Sequence, residues 1–177
     1  MYEYKAQRRN KAAAVTTLLS SLAAAVCLFG GSLLGSLKGI AEIIGLFALA
    51  FAVLVASRYL LKDYVYSLEE AENGDVDLTV TELQGKRRVT VCRIELSAVE
   101  EILTETPETR KAMKERLKGM KRYDYCADLV PSRSLYLLFR DRDETVSVRL
   151  IPDERMERIL LERSGHTLMK AEGSEIK

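Results

Sequence analysis

The chain has no tryptophan, one histidine, three cysteines and three prolines in 177 residues. Three cysteines cannot staple a domain, which excludes a small disulfide scaffold. The one histidine, His166, lies in the C-terminal tail beyond a helix-ending Gly165 and reads as a solvated residue, so a histidine triad or general base is not expected. Cys27, Cys92 and Cys126 stand apart with no C-x-x-C pair, which argues against zinc. Charge is missing too, but only locally: Ala12 to Leu61 contains Lys38, Glu42 and Arg58 alone, whereas Lys62 to Lys177 holds 21 basic and 24 acidic residues. The net charge of −3 over that second stretch, with no recognition motif, argues against a nucleic-acid binder. A uniformly mixed globular chain and a wholly disordered one are both excluded by the same split.

What is present begins with two apolar runs. Ala12 to Leu34 is 23 residues without a formal charge, and a helix of about 20 residues crosses the hydrocarbon core of a bilayer. A second run covers about Ile40 to Leu61, with Glu42 and Arg58 near its ends, where long side chains reach the headgroups. Gly35-Ser36-Leu37-Lys38-Gly39 is short enough only for a turn, so residues 12–61 are expected to form an antiparallel transmembrane hairpin, with helices over about 12–34 and 40–61. Lys5, Arg8, Arg9 and Lys11 precede it and Arg58 and Lys62 end it, against Lys38 alone in the loop. The positive-inside bias therefore places both termini in the cytoplasm, the basic segment 1–11 included, in a multi-pass protein of the cell membrane. In that reducing medium Cys92 and Cys126 should be free thiols. Processing is disfavoured: Val26 stands where a lipoprotein box needs a small residue, and Arg8-Arg9 lacks the context of a twin-arginine signal.

Small residues recur at helical spacing. Ala13, Thr17, Ser20, Ala24, Cys27, Gly31 and Gly35 form one such row, and Ala41, Gly45, Ala48 and Ala52 another. Small faces let backbones approach closely in lipid, where no hydrophobic drive exists. They are expected to pack on each other within the hairpin; oligomerisation through Gly31-x-x-x-Gly35 is the alternative. Glu42 is expected to act as an interfacial anchor rather than as a proton relay.

After Leu61 the apolar period shortens to two. Strands are predicted at 64–68, around Val76, Leu78 and Val80, and over 88–96, with a change of face between Val91 and Ile94 that suggests a bulge. Ser97 and Glu100 read as a capping box opening a short helical turn through Leu103. Thr106 and Pro107 then open a polar helix that ends near Gly119. Strands follow at 123–129, 134–140 and 145–151, and a helix starts at Pro152 and ends at Gly165. The tail 166–177 is expected to be flexible. The fold class is thus α+β: a hairpin, then an antiparallel sheet or barrel of six to seven strands closed by a C-terminal helix.

That order resembles the bacterial pleckstrin-homology-like domain tethered behind paired membrane helices. More closely, the chain is similar to a group of uncharacterised membrane proteins from clostridia and related Firmicutes. The residues that carry this likeness are Tyr64-x-Tyr66-Ser67, Asn73-Gly74-Asp75-Val76-Asp77, Gly85-Lys86-Arg87-Arg88 and Cys92-Arg93. It implies a cytoplasmic pleckstrin-homology-like domain over 62–165, from which the charged insertion 104–122 departs. It lends no catalytic residues.

Two basic features are candidate contact sites. Strand one leaves the membrane directly after Lys62, so strand two must return toward it, carrying Lys86, Arg87 and Arg88 to the inner leaflet, where each basic residue is worth about 1 kcal/mol. The second is the insertion helix and its exit: Arg110, Lys111, Lys114, Arg116, Lys118, Lys121 and Arg122. Its few apolar residues argue against deep insertion, leaving headgroups, an acidic partner or solvent. Glu69, Glu70 and Glu72, like Asp141, Asp143 and Glu144, read as solvated turn charges rather than a cation site. Tyr64, Tyr66, Tyr123, Tyr125 and Tyr136 read as sheet packing. No cofactor and no metal are expected. The functional expectation is a non-catalytic interaction or scaffold module held at the inner leaflet, with anionic headgroups or an unknown protein as partner. The alternative is an accessory subunit of a larger membrane complex assembled through the transmembrane helices, and an enzyme of unrecognised type comes third.

Overall fold

In a computed structural model, which describes residues 2–8, 10–31, 35, 37–71, 74–164 and 169–170, the chain divides into two units. One comprises Arg8–Lys62 with Asp128–Val130, the other Met1–Gln7, Asp63–Ala127 and Pro131–Lys177.

The helical unit contains α1 (Ala12–Gly30) and α2 (Lys38–Tyr59), of 19 and 22 residues with mean hydropathies of 2.0 and 2.4, both long and apolar enough to cross a membrane. Ala13 and Ala24 of α1, with Ala41, Gly45, Ala52 and Val55 of α2, are buried, while Leu18, Phe29, Phe47 and Leu54 are exposed. The small residues therefore lie where the helices meet and the large ones point away, an inversion of the soluble-protein pattern that suits an apolar solvent. Before α1, the Asn10 side-chain oxygen accepts the Ala12 backbone N–H at 2.9 Å. The Asn10 amide nitrogen donates to the Val130 carbonyl at 3.1 Å, and Arg8 donates to the Lys62 carbonyl at 3.1 Å.

The other unit is built from two sheets. The first has the order β1-β2-β3-β4, with β1 Tyr2–Lys5, β2 Asp63–Glu70, β3 Val76–Gln84 and β4 Arg87–Glu95, all antiparallel. A 3-10 turn at Leu96–Ala98 leads to the second sheet. Its order is β6-β8-β7-β5-β9, with β5 Val99–Glu105, β6 Lys121–Asp124, β7 Ser134–Asp141, β8 Glu144–Leu150 and β9 Met169–Lys170. The helix α3 (Arg110–Arg116) lies between β5 and β6, and α4 (Glu154–Ser164) follows β8. The main core joins both sheets and α4 through Tyr66, Leu78, Val80, Ile102, Leu137, Val148, Met156 and Leu160. A second cluster places Met113 of α3 and Leu117, which ends the helix, against Leu103, Tyr136 and Leu138 on the other face of the second sheet. Each of those two buried side chains contributes about 1.5–3 kcal/mol, enough to hold a helix of seven residues that has almost no other apolar content.

The architecture is α+β, with the two apolar helices, two sheets and a C-terminal helix. It departs from expectation in four places. Tyr2–Lys5, assigned to a basic N-terminal segment, is an edge strand: Tyr2 and Tyr4 pack against the core while Glu3 and Lys5 face out, an alternation too short to be seen beside the helical runs. Val99–Leu103, read as a helical turn from its capping box, is β5. Its pairing with β7 overrides a local signal worth about 1 kcal/mol. The insertion helix spans Arg110–Arg116 rather than starting at Pro107, because Thr106 and Thr109 first close a turn on each other at 2.9 Å. The strand expected at 123–129 is Lys121–Asp124, paired parallel to β8. A parallel pair needs a crossover, and residues 125–143, which carry the chain from β6 through β7 on the far side of β8, supply it. Nine strands among the described residues thus stand where six to seven were expected, and the pairings β6–β8 and β5–β9 are parallel. The bulge suggested near Val91 is present, between Val80 and Thr81 in the β3–β4 register.

Candidate functional site

The β3–β4 turn is a tight one. Gln84 pairs with Arg87, leaving Gly85 and Lys86 as the turn, and Gly85 takes φ +60° at a position where a two-residue hairpin requires a left-handed residue. Asp63, the first residue of β2, lies opposite Leu83, and Leu83 lies opposite Arg88. The turn therefore sits at the end of the sheet where the chain arrives from Lys62. Lys86, Arg87 and Arg88 are all exposed there, and none forms an ion pair with another described residue. Beyond the turn, Val89 and Val91 are 41% and 36% exposed, where a strand-three reading would have buried them.

The basic insertion separates into two kinds of residue. Arg110 donates to Glu105 at 3.0 Å and to the Pro131 carbonyl at 2.9 Å. Arg116 pairs with Glu101, and Arg122 donates to the Leu117 carbonyl at 2.5 Å, closing the C-terminal end of α3. These three arginines are engaged in holding the insertion. Lys111, Lys114, Lys118 and Lys121 remain on the exposed side, and Lys121 lies 5.8 Å from the centre of the Tyr123 ring.

A buried polar cluster that the sequence did not reveal lies beside α3. Glu105, 4% exposed, accepts from Arg149 at 2.7 Å, from Arg110 at 3.0 Å and from the Tyr136 hydroxyl at 2.8 Å. Arg149 also donates to Ser134 at 2.9 Å and lies 3.7 Å from Asp124. Burial raises the Tyr136 hydroxyl well above its ordinary range, Arg149 opposing and Glu105 reinforcing. Every strong acceptor of this carboxylate is occupied by protein donors, the arrangement of a structural ion pair. The only sequence signal was an acidic residue, Glu105, directly after Ile102-Leu103-Thr104.

Of the tyrosines expected in sheet packing, Tyr64, Tyr66 and Tyr136 are buried and Tyr125 half-buried, whereas Tyr123 is exposed. Tyr66 donates to the Tyr125 carbonyl at 2.8 Å, and Tyr125 donates to the Val91 carbonyl at 3.3 Å. Cys27, Cys92 and Cys126 are free thiols. Within the helical unit, a Cβ at Gly45 would meet Leu28 Cγ at 2.8 Å and Cys27 Cβ at 3.1 Å, and one at Gly31 would meet Ala41 Cβ at 3.3 Å. Thr17, Ser20, Cys27 and Ala48 are half-buried, and Gly35 is exposed. Lys38 and Glu42 lie 3.8 Å apart at the start of α2. Among the described residues no acidic, histidine or cysteine group has metal-binding geometry; Glu72 and His166 lie outside those residues. No protein-family model, curated protein or solved structure matches the chain.

Proposed function

We propose that the chain is a membrane-anchored, non-catalytic interaction module. A two-helix anchor holds a pleckstrin-homology-like domain at the cytoplasmic leaflet, where it organises a protein or lipid partner. The observation that carries the reading is the pairing of β1 with β2, Tyr4 opposite Tyr66 and Lys5 opposite Val65. These strands flank the apolar helices in sequence and are neighbours in one sheet. A chain that leaves a folded domain at Ala6 and rejoins it at Asp63 crosses a bilayer an even number of times, and two spanning-length helices match that. The cations that flank the helices favour the cytoplasmic side. Two sheets on one core closed by α4 support the pleckstrin-homology-like reading, from which the parallel pairings β6–β8 and β5–β9 depart.

The test is topological. Reporters attached at either end of the full chain in cells are expected to be shielded from outside reagents, and alkaline carbonate is expected to leave the protein in the membrane fraction. A reporter reachable from outside, or release by carbonate, rejects the reading.

A further inference from the structure

The β3–β4 hairpin extends past the part of its sheet that the core covers. On the inner face of β3, Val76, Leu78 and Val80 are buried, but Gln84 further along that face is exposed. Across from it, Arg87, Val89 and Val91 line an open groove of about 200 Å³ with Glu82 and Gln84. The Tyr125 hydroxyl reaches the Val91 carbonyl at 3.3 Å. Tyr123, 39% exposed, stacks on Tyr125 with ring centroids 6.4 Å apart and planes 4° from parallel. Val89 and Val91 thus form an exposed apolar shelf in that groove beside the cations of the turn, and Tyr125 links it to Tyr123, which Lys121 flanks.

Isolated exposed apolar residues need no explanation. Here two lie together, an exposed aromatic residue is linked to them through Tyr125, and cations flank both. This is the composition of surfaces that rest in a membrane interface, with rings at headgroup depth and cations meeting phosphates. Position agrees. Asp63 follows α2 by a few residues, and strands in a sheet lie about 5 Å apart. The turn beside Asp63 is therefore within about 10 Å of the point where the chain enters the sheet, comparable to the screening length at physiological salt.

We propose that this shelf docks on the anionic surface of the bilayer that holds the hairpin, with Val89, Val91 and Tyr123 entering the interface and Lys86, Arg87 and Arg88 facing lipid phosphates. The proposal rests on the anchored reading above and adds which face of the domain meets the lipid. Docking fixes the orientation of a domain already tethered, and so fixes which surfaces remain open to a partner.

The absence of tryptophan makes a clean test. Three single-tryptophan variants of the full chain, Val89→Trp, Glu95→Trp and Phe47→Trp, are reconstituted into phosphatidylcholine vesicles with and without phosphatidylglycerol. Val89→Trp emission is expected to shift to the blue in the anionic vesicles and to be quenched by lipids with brominated acyl chains. Glu95→Trp, at the far end of the same strand, is expected to stay unquenched, and Phe47→Trp in α2 to be quenched in every vesicle. Adding Lys86→Gln, Arg87→Gln and Arg88→Gln should lower the docked-to-undocked ratio on the order of a hundredfold, as should 1 M salt, where the screening length is about 3 Å. An unquenched Val89→Trp beside a quenched Phe47→Trp overturns the shelf proposal and leaves the anchor standing. An unquenched Phe47→Trp rejects the anchor, and the shelf with it. A blue shift without lipid quenching would assign the shelf to protein contact and overturn its lipid role.

Discussion

Lys5 and Asp63 form an ion pair at 3.0 Å, although both apolar helices lie between them in the sequence. The pair is partly exposed and is itself worth no more than about 1 kcal/mol. Its importance is positional, since it marks where the strand that precedes the helices rejoins the strand that follows them. The attachment comes from β1 as a whole. Ala6 donates to the Tyr64 carbonyl at 2.9 Å, Tyr2 donates to Asp153 at 2.5 Å, and Arg155 lies 5.0 Å from the Tyr2 ring centre.

A soluble chain of residues 63–177 alone should therefore be less stable than one in which residues 1–7 are joined to 63–177 by a short glycine-rich loop. Two half-buried tyrosines and a strand ladder are worth about 3 kcal/mol or more. Urea denaturation of the two chains measures the difference. Equal midpoints would show that β1 contributes nothing and would remove the argument for an even number of crossings.

Glu105 should be the most sensitive charged residue of the sheet unit. Glu105→Ala strips Arg149, whose side chain is 16% exposed, of its buried partner and leaves the Tyr136 hydroxyl without an acceptor. Leaving one member of a buried pair uncompensated costs about 3–5 kcal/mol. Arg110→Ala, at a side chain 40% exposed, should cost about 1 kcal/mol, because water replaces the lost contact. The joined chain, unfolded in urea, distinguishes the two; equal losses would contradict the burial argument.

Legibility in the sequence followed the length of each signal. The helices were readable because 19 and 22 residues of one character dominate any window, and β2, β3 and β4, with its face change near Val91, because apolar residues recur through strands of eight or nine residues. Tyr2–Lys5 was not, since four alternating residues carry meaning only once Val65–Leu68 is beside them. Val99–Glu105 misled because its local capping pattern and its long-range pairing disagree, and the pairing is invisible locally. The shelf was hidden for a third reason: Val89 and Val91 have the pattern of a buried face, and only the limited reach of the core exposes them. The basic insertion was legible as a cluster, but not its division into arginines that bind carboxylates and carbonyls and lysines that face outward.

Gly45 should be the least replaceable glycine of the helical pair. A methyl group there would sit 2.8 Å from Leu28 Cγ and 3.1 Å from Cys27 Cβ, closer than packed carbons approach, so the helices must separate or Leu28 must change rotamer. At Gly39 an added Cβ meets nothing within 4 Å. Gly45→Val is expected to lower the thermal stability of the detergent-solubilised chain by about 1–3 kcal/mol through overpacking, and Gly39→Ala to leave it unchanged or slightly higher. A neutral Gly45→Val would mean that the helices do not hold this close approach.

The alkaline limit of the sheet unit should depend on Cys126. Burial pushes its thiol well above the ordinary 9.0, Asp124 adds to the shift and Arg149 opposes it. The folded chain keeps a proton that the unfolded chain releases from about pH 8.5 upward. Stability conferred by this group is complete below that pH and is lost as pH rises toward the folded value. Cys92 is raised in the same direction by burial, with a hydrogen bond to Tyr125 opposing, so both thiols bend the stability curve downward in alkali. Cys126 is 2% exposed and Cys92 only half-buried, which makes the first the steeper contributor. Urea midpoints of the joined chain between neutral pH and about pH 10 should fall less in Cys126→Ala than in Cys92→Ala. In the parent, maleimide should label Cys92 before Cys126, whose reaction waits on opening of the fold. An unchanged alkaline slope in Cys126→Ala, with prompt labelling of Cys126, would place that thiol at the surface and contradict its position in the core.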